Sequence, residues 1–377
     1  MRKNFKNALK VIGINLLIAF VLVNVIYWSI PTVAAISDLF STIRPNRASA
    51  AISPSYSAVD ADWLPAYQRE KRRTKTVYRS FVGWRTDAFA GEAINIEGPY
   101  LQRRTTNSAA PGAKSAYFFG GSTMWGSGSN DAGTIPSQFA AIAGFRAENF
   151  GESGWVAQQS LAMLMQLIQE GHRPDLVVFY DGINEVYVKC VEGFRFGSHR
   201  MEARIGAVLR QNVNPASFTA FLAPALEVRD HLTSRLTRAV SENPDYHRDC
   251  DANPKKAERI ADGLLRDWDV AGKLVKSYGG KFVAFLQPVL MFSRTPYDHL
   301  RGRSFRREFN GLRPQYEAVY PLLRQKVASS GEFHDLIQVL DGDEVVHVDI
   351  LHISPRGNRR VAKKISETVT SLGLSPR

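Results

Sequence analysis

The chain has only two cysteines in 377 residues, Cys190 and Cys250, so its stability rests on a buried apolar core rather than on a disulfide framework. Its eight histidines are scattered and form no His-x-x-x-His pair, which removes the helical zinc-site signature. The run GGSTMWGSGS at 120–129 holds no lysine, which removes the P-loop reading of its glycines. No internal repeat is evident. Acidic residues are the scarcer charged class: 36 Asp and Glu against 48 Lys and Arg leave a net charge of +12 at pH 7. That balance suits an anionic partner such as nucleic acid, acidic glycan or lipid headgroups, and charge alone does not choose among them. At 44% hydrophobic and 22% charged, the composition is that of a globular protein with one main domain and extensions.

The amino terminus narrows the choice. Arg2, Lys3, Lys6 and Lys10 precede a run from Val11 to Ile30 with no charge and with only Asn15, Asn24 and Ser29 clearly polar. A helix of that length spans about 30 Å, the hydrocarbon thickness of a bilayer. Tyr27 and Trp28 fall at its outer end, and the basic residues keep the short tail in the cytoplasm. The expectation is a single-pass inner-membrane anchor with the rest of the chain periplasmic or extracellular. The competing reading is a cleaved signal peptide ending near Val33-Ala34-Ala35, although the apolar run exceeds the usual ~7–15 residues. Either location argues against nucleic acid. The cluster Arg69, Lys71, Arg72, Arg73 and Lys75 reads as a solvated stretch beside the membrane, or as one attracted to anionic headgroups or an acidic polysaccharide.

Residues 31–76 lack steady periodicity and read as a linker, and 77–114 as a β-rich preamble punctuated by glycines. From 115 to 377 strand-like and helix-like stretches alternate. Strands are expected at Tyr117 to Phe119, Phe145 to Phe150, Leu176 to Tyr180, Lys281 to Leu286 and Ile337 to Leu340. Helices are expected at 134–143, 156–170, 257–277 and 305–330, and after Ser354-Pro355, where the serine hydroxyl can cap the first turn. Leu161, Leu164, Met165 and Ile168 share one helical face, with methionine as core filler; Val361, Ile365 and Val369 share another. Such alternation implies a parallel sheet with helices on both faces. An insertion at about 190–256 interrupts it, with Phe218, Phe221, Leu222, Ala225, Leu232 and Leu236 forming an apolar helical stripe. It is read as helices packed on the domain edge or as a lid. Cys190 and Cys250 bracket it, and in an oxidising compartment a disulfide is expected to join its ends.

Four chemically suggestive stretches follow or approach strand ends. Ser122 lies after the first strand, Gly154 after the second, Asn184 after the third, and Asp349 with His352 just before the last helix. In a parallel sheet these loops open on one edge, so distant residues converge. Ester chemistry on a serine needs a base to take its proton, an acid to orient the base, and donors for the oxyanion. The three-residue spacing lets the Asp349 carboxylate reach Nδ1 of His352, leaving Nε2 for Ser122.

With the blocks FGGST, NFGESGW, YDGINE and DILH in this order, the stretch 115–371 resembles the SGNH (GDSL-like) hydrolase superfamily. The resemblance implies a flavodoxin-like three-layer α/β/α sandwich and an acyl-enzyme mechanism. Ser122 would be nucleophile, His352 base and Asp349 the orienting acid. The N–H groups of Ser122 and Gly154 with the Asn184 amide would form the oxyanion hole. Two departures stand out: Gly121 where many members have aspartate before the serine, and Glu185 where many have aspartate after the asparagine. The expected activity is that of a membrane-anchored serine esterase without cofactor or metal, acting on an acylated small molecule or on O-acyl groups of a carbohydrate. An O-acyltransferase that modifies an exported polysaccharide, beside its export machinery, would use the same residues. A non-catalytic polysaccharide-binding or assembly protein is the third reading.

Overall fold

The structure, a computed structural model, describes residues 62–106, 109–202 and 247–377, together with 13–15, 18–22, 205, 206 and 209. The chain divides into two compact units, 1–51 with 203–245 and 52–202 with 246–377. In the first unit residues 13–15 and 18–22 are helical. Among the described residues no helix is long and apolar enough to cross a membrane. Most of the expected anchor at 11–30 lies outside the described residues, as does the apolar stripe Phe218 to Leu236, so the lid question does too.

Within the expected linker at 31–76, the first described element of the second unit is a helix. α1 (Leu64–Arg73) takes Pro65 in its first turn, where no N–H is needed, and places Lys71, Arg72 and Arg73 at its negative end. It buries Leu64, Ala66 and Tyr67 against Ile94, Ile96, Leu101 and Trp125, a pattern that the surrounding charge obscured in the sequence. Its buried Glu70 accepts the N–H groups of Glu92, Ala93 and Ile94 at 2.7–3.0 Å. The expected β-rich preamble follows: a hairpin of β1 (Thr76–Arg79) and β2 (Gly83–Thr86), then β3 (Phe89–Ala90), β4 (Asn95–Glu97) and β5 (Gln102–Arg103).

The rest alternates as the periodicity implies. It comprises β6 (Ser115–Gly120), α2 (Ser122–Trp125), α3 (Ile135–Ala143), β7 (Arg146–Asn149), α4 (Ala157–Gln169), β8 (Leu176–Asp181) and α5 (Ile183–Lys189). After the insertion come α6 (Pro254–Lys276), β9 (Lys281–Leu286), α7 (Arg303–Ser330), β10 (His334–Asp335) and α8 (Pro355–Ser371). The main sheet runs β10-β9-β8-β6-β7-β5-β4-β3; β6 to β10 are parallel and β3 to β5 form an antiparallel extension. Numbered by sequence, the parallel strands lie in the order 2-1-3-4-5, the doubly wound order with its switch point between β6 and β8.

Both faces are covered. α4, α6 and α7 bring Leu164, Trp268 and Tyr320 to one face, while α3 and α8 bring Phe139, Val361 and Ile365 to the other. Each such side chain stabilises the fold by about 1.5–3 kcal/mol through burial. Two expectations need correction. Met165 is 44% exposed, and Met163 with Leu167 fills the core in its place, so the buried face of α4 is rotated from the expected one. The last strand is His334–Asp335, not Ile337 to Leu340. The Asp335 carboxylate accepts the Ile337 N–H at 2.8 Å and starts a turn, in which Ile337 and Leu340 are buried three residues apart rather than alternating.

A disulfide joins Cys190 to Cys250, and the two ends of the insertion pair beside it: Glu192 N–H donates to the His247 carbonyl and Asp249 N–H to the Cys190 carbonyl. The insertion therefore leaves and re-enters the body at one point, the end of α5.

Candidate active site

Gly120 ends β6 opposite Tyr180, and Asp181 ends β8 opposite Leu286 of β9, so three loops leave the sheet side by side at its switch point. Ser122 starts α2, where the first N–H groups of a helix have no partner within it. Gly121 before it has no room for a side chain: a Cβ would lie 2.2 Å from Asn184 Nδ2.

The Ser122 hydroxyl lies 2.7 Å from Nε2 of His352, and Nδ1 of the same ring lies 2.7 Å from Asp349 Oδ2. With Nδ1–H donated to the carboxylate, Nε2 is left as the acceptor for the hydroxyl proton. The other oxygen of Asp349 accepts the N–H groups of Leu351 and His352, each at 2.8 Å. Desolvation pushes the Asp349 carboxyl up, but the hydrogen bond and charge of His352 and those two N–H groups outweigh it and hold it at about 2. The loop is pegged by Ile350 and Ile353, both buried, and closed by Val348 N–H donating to the His352 carbonyl.

Asn184 is the second residue of α5, and its Nδ2 donates to the Trp155 carbonyl at 2.7 Å, next to Gly154. An amide nitrogen has two protons, so one remains. Gly154 sits at φ +81° in the loop between β7 and α4. That loop is held by crossed indoles: Trp84 Nε1–H donates to the Ser153 carbonyl and Trp155 Nε1–H to the Trp84 carbonyl, each at 3.2 Å. The fold thus brings Ser122, Gly154, Asn184, Asp349 and His352, distant in sequence, to one edge. His347 is buried away from this chain of hydrogen bonds, with its backbone carbonyl against His299.

The residues that aim these groups were not expected. Glu185, noted only as a departure, is fully buried; it accepts Gly182 N–H at 2.9 Å and Ala157 N–H at 2.8 Å, tying the first turns of α5 and α4 together. Its place three residues after Gly182 is the capping-box position, the one signal that could have revealed it. Gln287, just past β9, accepts Ile183 N–H at 3.0 Å and donates to the Thr123 hydroxyl. Two buried arginines reach in, Arg85 from the hairpin and Arg103 from the extension. Arg85 donates to the carbonyls of Phe150, Gly151 and Leu101 at 2.8–3.2 Å. Arg103 donates to Asp131 at 2.9 Å and to the carbonyls of Trp125, Gly126 and Ser129 at 2.7–3.1 Å.

Among the described residues no group of three or more His, Cys, Asp or Glu could hold a metal ion. A cavity of about 530 Å³, lined by Trp268, Lys281 and Phe333 among others, includes the first residues of β9 and lies away from Ser122.

No family model matches the chain, and no curated protein does. Several solved structures are similar over most of their length. The carbohydrate acetylesterase Est24 of Sinorhizobium meliloti is 14% identical over 69% of this chain and 99% of its own, with a TM-score of 0.38. The aryl esterase of M. smegmatis is 15% identical over 69% and 100%, with a TM-score of 0.39. A lipolytic protein of the G-D-S-L family from Desulfitobacterium hafniense is 10% identical over 67% and 98%, with a TM-score of 0.36.

Proposed function

We propose that this chain is a serine esterase of the SGNH type, and the observation that supports it is the hydrogen-bonded series Ser122–His352–Asp349 at the switch point of the sheet. Ser122 Oγ attacks the acyl carbonyl as its proton passes to His352 Nε2, and Asp349 stabilises the imidazolium that forms. The oxyanion takes hydrogen bonds from the N–H groups of Ser122 and Gly154 and from the free amide proton of Asn184. Collapse expels the alcohol, which takes the proton back from His352. Water, activated by the same imidazole, then releases the acid and frees Ser122.

The location belongs to the same proposal: an inner-membrane anchor at 11–30, an extracytoplasmic catalytic unit, and O-acyl groups of a glycan as substrate, met beside polysaccharide export machinery. The uncharged run at Val11 to Ile30 and the Cys190–Cys250 disulfide, a bond that persists in oxidising compartments, support the location. One experiment tests both parts. A fluorophosphonate that cannot cross the inner membrane, added to spheroplasts, should label the wild type in the membrane fraction and leave Ser122→Ala unlabelled. Equal labelling of the variant removes Ser122 as nucleophile; labelling only after lysis removes the location.

A further inference from the structure

We infer that Arg200 forms an anion subsite beside Gly154, so that the esters taken by this site are carried by a molecule with a carboxylate close to the ester, such as an O-acylated uronic-acid glycan. The inference rests on the proposed role of Gly154 in the oxyanion hole and adds a substrate class to it.

Two glycines seat the segment that carries Arg200. A Cβ on Gly154 would lie 2.6 Å from both Cζ and Nε of Arg200, so the guanidinium lies on the open face of that glycine. A Cβ on Gly83 would lie 2.7 Å from Nε2 of His199, and both glycines sit at positive φ, +85° and +81°. Trp84 stands between them, 3% exposed; its ring meets His199 edge-on at 5.2 Å between centroids and has the Arg200 guanidinium over it at 5.6 Å. The same indole holds the Ser153 carbonyl, so one side chain fixes both the oxyanion loop and the arginine above it.

The contrast with the other arginines points to a ligand. Arg85 and Arg103 are buried and give most of their N–H groups to protein acceptors, Arg85 to carbonyls and Arg103 to carbonyls and the Asp131 carboxylate. Arg195, on the same segment, pairs with Glu202. Arg200 is exposed, and among the described residues it has neither a carboxylate partner nor a hydrogen bond. A planar fork of donors, held in place and without an acceptor among the described residues, matches a carboxylate through two parallel hydrogen bonds. Residues 31–377 carry 44 Lys and Arg against 36 Asp and Glu, and this net charge of +8 attracts a polyanion from a distance, while the fork supplies the local recognition.

The test is a ratio of affinities, measured with Ser122→Ala so that neither ligand is consumed. Calorimetric titration compares an O-acetylated uronate methyl glycoside with the same compound as its neutral methyl ester. The charged ligand should bind about tenfold tighter, the margin expected of one charge-assisted pair, and the margin should shrink as salt is added. Adding Arg200→Gln should bring the ratio close to one, and Arg200→Lys should restore part of it. A ratio near one before the substitution, a ratio that survives it, or no binding of the charged ligand overturns the subsite. A variant that merely loosens the fold weakens both ligands alike and leaves the ratio intact, which also counts against it. Turnover of either ester by the wild type reports separately on the esterase reading.

Discussion

The parallel strands β6 to β10 and the antiparallel extension β3 to β5, with the hairpin before it, contribute different things to one site. The parallel half supplies every candidate reacting group, in loops and first helical turns at one edge of the sheet, with Ser122 and His352 half-buried. The hairpin and extension supply none of the five, and instead send two buried guanidinium groups behind the loops that follow β6 and β7. The difference teaches where each task is inexpensive. A hydroxyl or imidazole at a rim stays near water and contributes little to folding, whereas fixing a loop's carbonyls to within a fraction of an ångström calls for rigid, desolvated donors. Burying a guanidinium is costly unless every N–H finds an acceptor, and Arg103 comes close to that with Asp131 and several carbonyls.

The comparison is sharpest at Ser122. Ser122→Ala should lower ester turnover by about 10⁴-fold or more while leaving the melting temperature within a degree or two of wild type. A large drop in stability would mean that the reacting loop is also structural and would blur the division. Asn184→Ala comes next, at about 10²–10³ in kcat through loss of one oxyanion donor. A change confined to KM would make Asn184 a binding residue. Arg103→Ala should invert the pattern: about 3–5 kcal/mol of stability lost to chemical denaturation, because Asp131 is left buried without its counter-charge and with only Asn95 among the described residues donating to it, and a smaller loss of turnover measured well below the melting temperature. If turnover falls as far as in Ser122→Ala while stability holds, the extension belongs to the chemistry and the contrast fails.

The same division governs what could be read from the sequence. The parallel half was legible because its rules are local. Continuous apolar runs such as Leu176 to Tyr180 mark central strands, glycines mark their ends, and a serine, asparagine or histidine after such a run stands out. Arg85 and Arg103 were not legible, since a buried arginine has the same letter as a solvated one and its partners are carbonyls that any residue provides. α1 was hidden for a related reason: Arg69, Arg72 and Arg73 dominate a stretch whose inward face is only Leu64, Ala66, Tyr67 and Glu70. Glu185 shows the intermediate case. Its spacing from Gly182 carried the information, but its second bond, to Ala157, depends on α4 arriving from a distant part of the chain.

Ser354 gives the smallest expected effect and tests whether a local rule holds inside the legible half. The sequence places it at the start of the last helix, and it does stand at the N-cap of α8, but its hydroxyl makes no capping bond and is buried without a partner among the described residues. The backbone does the holding instead: Ser354 N–H donates to the Val346 carbonyl at 2.8 Å, and its carbonyl accepts Asn358 N–H at 2.9 Å. The Asn358 amide further ties the first turn to Ser129 and the Gly133 carbonyl, each at 2.8 Å. A capping serine lost to alanine ordinarily costs about 1 kcal/mol. Here the substitution removes an unpaired buried hydroxyl, which offsets the lost contacts, so stability should stay within about 0.5 kcal/mol of wild type or rise slightly. Because His352 is aimed by Ile350, Ile353 and the carboxylate of Asp349, kcat/KM should move by less than about twofold. Paired denaturation curves and ester kinetics decide it. A loss near 1 kcal/mol would show that the hydroxyl caps α8 in solution and that the local rule holds there after all; a large loss of activity at unchanged stability would make Ser354 part of the machinery that positions His352.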